Sequence, residues 1–385
     1  MPGVMAGAAR IEGRLELQRS VLDGGTFSHV HGHVTALQLI HARVAGEVFL
    51  NGAEINAPRG WAVSAGGLVT EGGVFCRNGF TARGEIRLMG AQLPGGLFMQ
   101  GARLENPGGV VLSADNMATS TLDCSQGFTA QGTVTLRSVR ISGLLTFEGA
   151  TLSGGGSALT CTLMQAEDFN FTPVTPPLGA VDLRGAQVTL LCDTDQSWPE
   201  RVHLEGFVYG SIRSEQTSRK NDVNRRLEWI RRNPGYVPQA YKQLADWYRQ
   251  IGQDDDARRV LLAKQRQRRR TLRPAGRVWG RLLDATVGYG YRPWLAGIWL
   301  VVLTLLGTLV FGAHAPTAVK PGESAPFQPF VYTLDLLVPI GNLGQRSAWY
   351  WADSPSQWLA YTLIAAGWVL TTAVVAGVSR TLSKD

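Results

Sequence analysis

Two stretches of the chain, CRNGFTARGEIRL at residues 76–88 and CSQGFTAQGTVTL at residues 124–136, carry the same motif 48 positions apart. In both, apolar and polar residues alternate after a Gly-Phe-Thr-Ala core. Alternation with a period of two places every second side chain on one face of a β-strand, and the glycines mark corners. Such units recur from about residue 28 to residue 210 without intervening helical patterns. The sequence therefore predicts a parallel β-solenoid, resembling a right-handed β-helix.

A shorter unit, an alternating strand followed by Gly-Ala-x-apolar, recurs at 48–55, 97–104 and 181–188. Coils of about 20 to 25 residues, stacked about 4.8 Å apart, make the 48-residue period two coils. A β-sandwich with glycine-rich turns is the alternative. In the solenoid, two cysteines fall at equivalent inward positions two coils apart, and we expect all four to be reduced and buried: Cys76, Cys124, Cys161 and Cys192.

The solenoid pattern ends near residue 212, where helical periodicity begins. Val223, Leu227 and Ile230 share one helical face, which predicts a helix that caps the last coil. Residues 238–270 predict a helical hairpin with the spacing of a single tetratricopeptide-like repeat. We therefore predict a solenoid at 1–212, a helical cap, spacer and basic juxtamembrane helix at 213–285, and a membrane domain at 286–385.

A basic segment runs directly into an uncharged stretch long enough to cross a bilayer. Transmembrane helices are predicted at about 294–312 and 358–378, with an external loop at 313–357 and both termini cytosolic. The first residues lack the apolar core of a signal peptide, so we do not expect export of the solenoid. The predicted location is a bacterial plasma (inner) membrane, as a multi-pass protein.

The net charge of +7 is local, because one block supplies ten basic side chains and no acid. We expect this block to contact the anionic headgroups of the lipid bilayer. No groove-reading module accompanies it, so nucleic acid is not an expected partner. Its members are Arg258, Arg259, Lys264, Arg266, Arg268, Arg269, Arg270, Arg273, Arg277 and Arg281.

Three further patterns bear on metal binding, ion conduction and cofactor binding. His29, His31 and His33 would project from one side of a strand, which suits zinc, although an outward polar ladder is favoured because no cysteine or carboxylate completes a site. The run at 286–290, TVGYG, matches a potassium-channel filter but precedes the first span, so we predict a connector. No dinucleotide-binding or P-loop motif occurs, and no cofactor is predicted.

The segment between the two spans has the order of a two-span pore subunit. An amphipathic helix at 327–338 is followed by a glycine-containing turn, which predicts a re-entrant loop marked by Asp335, Pro339, Gly341 and Gly344. The turn lacks a filter sequence. Because of the order of its segments, an oligomeric, channel-like protein is the alternative function, and a homo-oligomer is the expected assembly.

Several stretches resemble actinobacterial membrane proteins with glycine-rich repeats, many of which carry the automatic name membrane-associated oxidoreductase. The resemblance lies in LEWIRRNPGY (227–236), AKQRQRRR (263–270), VGYGYRPW (287–294), YTLDLLVPIGNLGQ (332–345) and GWVLTTAVVAG (367–377). The name implies a redox enzyme with a bound flavin, nicotinamide or metal, but no catalytic residue is carried over. From the residues themselves, the leading hypothesis is a membrane-anchored cytosolic solenoid that serves as a scaffold or binding surface for a protein partner.

Overall fold

The computed structural model of the chain forms two compact units, Met1–Leu261 and Leu262–Asp385. The structure describes residues 3–382 apart from 25–28, 31–32, 215–221, 272–293, 315, 321–325, 339–342 and 352–353. Side chains are also not described at 29–30, 33, 59, 214, 269–271, 294, 354 and 373–382. The domain boundaries predicted at 212 and 285 are finer than this division and stay predictions.

The first unit is a parallel β-solenoid, as predicted, with about seven coils. Every strand pair that builds its coils is parallel, and the β-sandwich alternative is therefore wrong. The first sheet contains β1 (Val4–Met5), β4 (Val21–Asp23), β5 (His29–Val30), β6 (His33–Gln38), β9 (Glu54–Ser64), β12 (Thr81–Arg87), β15 (Arg103–Ser113), β18 (Thr129–Thr135), β20 (Thr151–Thr160), β22 (Leu178–Asp182) and β24 (Val202–His203).

The second sheet has two strand segments in each early coil, and these merge into one strand from β19 onward. It contains β2 (Arg10–Ile11), β3 (Leu15–Glu16), β7 (Arg43–Val44), β8 (Val48–Phe49), β10 (Val69–Thr70), β11 (Val74–Phe75), β13 (Gln92–Leu93), β14 (Leu97–Phe98), β16 (Ala118–Thr119), β17 (Leu122–Asp123), β19 (Arg140–Thr146), β21 (Gln165–Phe171), β23 (Gln187–Asp193) and β25 (Val208–Ser214).

The 48-residue period spans two coils, as predicted, because Val74, Leu97 and Leu122 share one register position on successive coils. Neighbouring coils differ in the first sheet. β9 and β15 have 11 residues each, whereas β12 and β18 have 7. The pairing of β15 with β18 skips between Glu105 and Val110, so the long strand bulges outward there. Alternation of bulged and unbulged strands makes the repeat two coils long.

A glycine of the short strand lies under each bulge. Gly132 has φ +142°, and a Cβ there would be 2.7 Å from the Asn106 carbonyl oxygen. Gly84 has φ +115°, with the Ala57 carbonyl oxygen 2.4 Å from the corresponding point. Both positions need glycine for conformation and for space. Gly84 and Gly132, which are equivalent in the two quoted motifs, therefore provide the space for the bulge of the neighbouring strand.

The solenoid interior is a set of apolar ladders. Cys76 and Cys124 are both buried and inward, as predicted, and Met99 lies between them in the same ladder. Cys161 is also a buried free thiol, whereas Cys192 is half-buried, so the prediction of burial is wrong for that cysteine. Burial raises the pKa of Cys76 to about 12. These thiols are core residues with little thiolate character.

Three helices follow the last coil: α1 (Asp222–Arg231), α2 (Pro238–Gln250) and α3 (Asp254–Thr271). The end of the solenoid would otherwise expose unpaired backbone groups of its last strands. The side-chain amides of Gln239 and Gln243 donate to the carbonyl oxygens of Phe207 (2.9 Å) and Tyr209 (2.6 Å). The Asn233 side chain accepts from the amide of Leu204 at 2.8 Å. The helices therefore cap the coil, as predicted.

A buried ion pair fastens the cap to the coil. Arg226 of α1 donates to both carboxylate oxygens of Asp193 at 2.5 and 2.7 Å, and the Trp198 indole donates to the same carboxylate at 2.7 Å. Burial lowers the pKa of Arg226, but the charge and hydrogen bonds of Asp193 outweigh it, so the net pKa is raised. Arg226 therefore stays charged, and its hydrogen bonds to Asp193 lock α1 onto β23.

The second unit contains α4 (Trp294–Gly312), β26 (Thr317–Ala318), α5 (Pro329–Leu337), α6 (Gln345–Ala348), β27 (Trp349–Tyr350) and α7 (Ser354–Leu382). α5 packs against both long helices through glycines. A Cβ at Gly307 of α4 would lie 2.3 Å from Thr333 Cγ2, and one at Gly367 of α7 would lie 2.2 Å from the Leu337 carbonyl oxygen. Aromatic side chains, among them Phe311 and Trp351 with ring centroids 5.0 Å apart, fill the core.

Among the described residues, one helical stretch, Leu295–Gly312, is long and apolar enough to cross a membrane. Its apolar side chains mostly face outward, and 22% of the stretch is buried. Val301 is 60% exposed and Leu309 is 71% exposed. α7 covers the second predicted span, but its side chains are described only as far as Thr372. The two-span hairpin therefore stays a prediction.

Candidate functional site

An open groove of about 890 Å³ runs along the solenoid where the two segments of the second sheet meet. The coils approach each other closely at this bend. A Cβ at Gly95 would lie 2.3 Å from the carbonyl carbon of Gly72 on the preceding coil. Glycine at this position therefore permits the close approach of the two coils. The polar side chains that line the groove lie next to the bend.

The first row of the groove is a column of residues in register on successive coils. Pairing places Arg140 beside Gln165, and Gln165 beside Gln187. Six strands at about 4.8 Å spacing give this column a length of about 24 Å. Its members are Gln92, Ala118, Arg140, Gln165, Gln187 and Val208, and all six are exposed.

The second row stands two residues further along each strand. Because side chains alternate between faces, it shares the outward face of the first row. The residues between the two rows, such as Ile141 and Val188, are buried and form the rigid base. The row consists of Pro94, Ser120, Ser142, Glu167 and Thr189.

The polar side chains of the two rows have no partner within the part of the chain that the structure describes. No hydrogen bond or ion pair joins the side chains of Arg140, Glu167 or the three glutamines to other described residues. The hydroxyls of Ser120, Ser142 and Thr189 are likewise unpaired there. The groove thus offers amide, hydroxyl and charged groups whose hydrogen-bonding capacity is open to a ligand.

Some polar side chains elsewhere on the solenoid surface pair with each other. On the first sheet, Arg83 contacts Glu105 at 3.2 Å and the side-chain oxygen of Asn56 at 2.9 Å. Arg137 pairs with Asp115 at 3.2 Å. Those residues satisfy one another along the stack of coils.

Arg140 and Glu167 are the charged residues that line the groove. They stand on adjacent coils in different rows, so they are separated diagonally by one strand spacing and two residues, about 8 Å. Their own backbones are fixed by the parallel pairing of β19 and β21. The groove therefore presents one positive and one negative side chain, attached to the backbone at neighbouring coils.

A second cavity, of about 440 Å³, lies between the last coil and α1. Its walls include Asp193, Arg225, Arg226 and Arg232. Arg225 pairs with Asp195 and with Asp222, and the Arg232 guanidinium donates to the carbonyl oxygens of Trp198 and Pro199. Burial, followed by the neighbouring charge of Arg226, lowers the pKa of Arg225. These groups serve to join the cap to the solenoid.

The single strand assumed for the three histidines is wrong. His29 lies in β5 and His33 lies in β6, and the two strands pair antiparallel as a hairpin. His31 lies outside the described residues. Within the described part of the chain, no group of three His, Cys, Asp or Glu side chains could hold a metal ion.

The basic block begins on α3, where its first two members have acidic partners on their own helix. Arg258 contacts Asp255 at 3.3 Å and Arg259 contacts Asp256 at 3.1 Å. Lys264, Arg266 and Arg268 follow on the same helix, as do Arg269 and Arg270, whose side chains are not described. Arg273, Arg277 and Arg281 lie outside the described residues, as does the motif at 286–290. The lipid contacts stay a prediction.

The predicted re-entrant segment is described in part. Asp335 of α5 is fully buried, and its carboxylate accepts hydrogen bonds from the backbone amides of Leu343 (3.0 Å) and Arg346 (2.9 Å). Gly344 has φ +80°. Pro339 and Gly341 lie outside the described residues. Asp335 therefore ties the chain that follows α5 back onto that helix.

A helix lies within the predicted range 327–338, but the prediction that it buries one amphipathic face is partly wrong. Phe330 is 53% exposed, whereas Tyr332, Thr333, Asp335, Leu336 and Leu337 are the buried residues of α5. The helix packs on two sides, against α4 and against α7, and so it buries more than one stripe. A single amphipathic stripe does not describe it.

Comparison with family models, with curated proteins and with solved structures gave no match to this chain. The resemblance seen in the sequence and the oxidoreductase activity it implies therefore stay predictions. The site has to be interpreted from its own geometry.

The groove residues were not singled out from the sequence. The signal that could have found them is an exposed-buried-exposed triplet at each bend, such as Arg140-Ile141-Ser142 and Gln165-Ala166-Glu167. It becomes visible only when the coils are aligned in register, because the spacing between equivalent residues varies along the chain.

Proposed function

We propose that this protein is a membrane-anchored binding scaffold, in which the groove of the second sheet holds a partner near the bilayer. The observation that carries the proposal is the set of unpaired polar side chains between Gln92 and Gln187, aligned over about 19 Å of rigid strand. A solenoid gives such a surface little freedom to collapse, so binding does not require the groove to be ordered first.

Anchoring is supported by the surface of α4. Several of its large apolar side chains, among them Val301, Leu305 and Leu309, are more than half exposed. The core helix of a water-soluble protein would bury these side chains, whereas a lipid-facing helix leaves them outside. In this proposal, the basic residues of α3 contact anionic headgroups on the cytosolic side of a bacterial inner membrane, α7 provides the second span, and both termini are cytosolic.

The proposal is tested with the full chain in its native cell. Membranes are washed at alkaline pH, which removes peripheral proteins, and the chain is expected to remain in the pellet. Partners retained on the washed membranes are then compared between two tryptophan variants. Ser142→Trp fills the groove, whereas Gln131→Trp places the same bulk on an exposed position of β18 in the first sheet.

Ser142→Trp should reduce the retained partner at least fivefold, and Gln131→Trp should leave it unchanged. Release of the chain by the alkaline wash would contradict the anchoring. Equal retention of the partner by both variants would contradict the assignment of the groove.

The packing of α5 favours a second candidate function, an oligomeric channel-like protein. A helix of nine residues lies against two long helices, and the buried Asp335 carboxylate holds the chain that returns from it. A short helix followed by a returning loop is how pore loops are built. Planar-bilayer recordings test it: a current altered by Asp335→Asn would support conduction, and no current from oligomeric protein would exclude it.

A further inference from the structure

The charges that line the groove limit the chemical class of ligand that it can bind. This step rests on the proposed function, since it takes the groove as the binding face. Arg140 attracts an anionic group and Glu167 attracts a cationic one. Neither side chain has a partner among the described residues. A ligand that satisfies both must carry charges of both signs, close enough together to reach two residues whose backbones are about 8 Å apart.

Among linear polymers, this requirement favours a polypeptide. A nucleic acid repeats negative phosphates and would meet Glu167 with repulsion. An uncharged glycan would leave both charges unpaired. A polypeptide carries carboxylates and ammonium or guanidinium groups on one chain, and alternate side chains of an extended segment are about 6.7 Å apart on the same side. That distance brings residues i and i+2 within reach of Arg140 and Glu167.

The remaining groove residues suit a peptide backbone. Gln165 and Gln187 each offer an amide that can both donate and accept a hydrogen bond. A peptide backbone has the same two capacities at every residue other than proline. Ser142 and Thr189 add hydroxyls that donate or accept as required. The column length of about 24 Å accommodates about seven extended residues.

We infer that the groove binds an extended peptide segment that carries an acidic and a basic residue two positions apart. Arg140 and Glu167 select the charges, and the glutamine and hydroxyl side chains hold the backbone. The peptide can enter in either direction, so both acidic-x-basic and basic-x-acidic orders fit.

The test uses the full chain in detergent and three fluorescent heptapeptides with the same Ser/Gly background. One has Glu and Lys at positions 3 and 5, one has Glu at both and one has Lys at both. Fluorescence anisotropy at low ionic strength measures the dissociation constants. The wild-type protein should bind the mixed peptide about five- to tenfold more tightly than either of the others, and added salt should reduce the difference.

Charge reversal provides the sharper comparison. Arg140→Glu should make the Lys/Lys peptide the preferred ligand, and Glu167→Arg should make the Glu/Glu peptide the preferred ligand. Arg83→Glu, on the first sheet, should leave the wild-type order unchanged. Circular dichroism and thermal unfolding confirm that each variant is folded.

Unchanged preferences in the two groove variants would overturn the inference. So would preferential binding of a single-stranded oligonucleotide or a neutral oligosaccharide, which are run as additional probes. Those results would leave the scaffold function intact if Ser142→Trp still releases the native partner. If Ser142→Trp instead retained the native partner as well as Gln131→Trp does, the proposed function would be contradicted. The two failures can therefore be told apart.

Discussion

Gly132→Ala is the most informative test of how the two-coil repeat is built. The residue has φ +142°, outside the conformations that alanine adopts readily, which costs about 1–3 kcal/mol. The new Cβ would also lie 2.7 Å from the Asn106 carbonyl oxygen and 2.8 Å from that of Gly109. Moving the bulge aside adds about 1–3 kcal/mol of overpacking. We expect a total loss of about 2–6 kcal/mol in the free energy of unfolding of the solenoid.

Two other glycines serve as matched controls. Gly127 has φ +83° but no atom within 4 Å of its Cβ position, so Gly127→Ala should cost about 1–2 kcal/mol from conformation alone. Gly155 has neither a positive φ nor a neighbour within 4 Å, so Gly155→Ala should change stability by less than about 0.5 kcal/mol.

The assay is urea unfolding of the full chain in detergent, followed by the β-sheet signal in circular dichroism. The expected order of midpoints is Gly155→Ala, then Gly127→Ala, then Gly132→Ala as the lowest. Equal midpoints for the Gly132 and Gly155 variants would refute the packing of the bulge over Gly132.

Three further predictions concern the cap, the thiols and the helical unit. Asp193→Leu should lower the free energy of unfolding by about 3–5 kcal/mol because it leaves Arg226 charged and buried, whereas adding Arg226→Met to it should recover much of that loss. Additive effects of these two substitutions in a double-mutant cycle, measured by urea unfolding, would contradict it. Burial gives Cys76 a pKa of about 12 in the folded state against an ordinary 9.0, so the stabilisation from its protonated thiol is complete below pH 9 and is lost at about 1.4 kcal/mol per pH unit as the pH rises toward 12. Unfolding measured as a function of pH checks it, because the free energy of unfolding of Cys76→Ala should vary less with pH than that of the wild type. Gly367→Ala should lower the thermal midpoint of the helical unit in detergent, since its Cβ would meet the Leu337 carbonyl oxygen at 2.2 Å, whereas Gly297→Ala, which meets no atom within 4 Å, should not; similar midpoints would contradict the contact.

Periodicity was sufficient to predict the solenoid, its two-coil period and the helical cap. Those features follow from local alternation and from the match between residues 76–88 and 124–136. The reason for the two-coil period was not predictable, because the bulge at Asn106 and the glycine that receives it, Gly132, come from different coils. Their relation depends on the register between strands, which the chain order alone does not reveal.

The histidine prediction failed for a local reason. His29, His31 and His33 alternate as in one strand, but the chain forms the antiparallel pair of β5 and β6, which places His29 and His33 on different strands. The groove was missed for a different reason. Whether Arg140 or Arg83 is paired depends on the residue one coil away, so the sequence next to each arginine does not show whether it has a partner.

Site-directed photo-cross-linking in the native cell is the most direct test of the groove as the binding face. A benzophenone amino acid is placed at Ser142 in the groove or at Gln131 on the first sheet, both exposed positions in strands. If the groove is the binding face, position 142 should give one dominant adduct, recovered with alkaline-washed membranes, and position 131 should give no such adduct. Adducts of equal yield from the two positions, or none from Ser142, would contradict it.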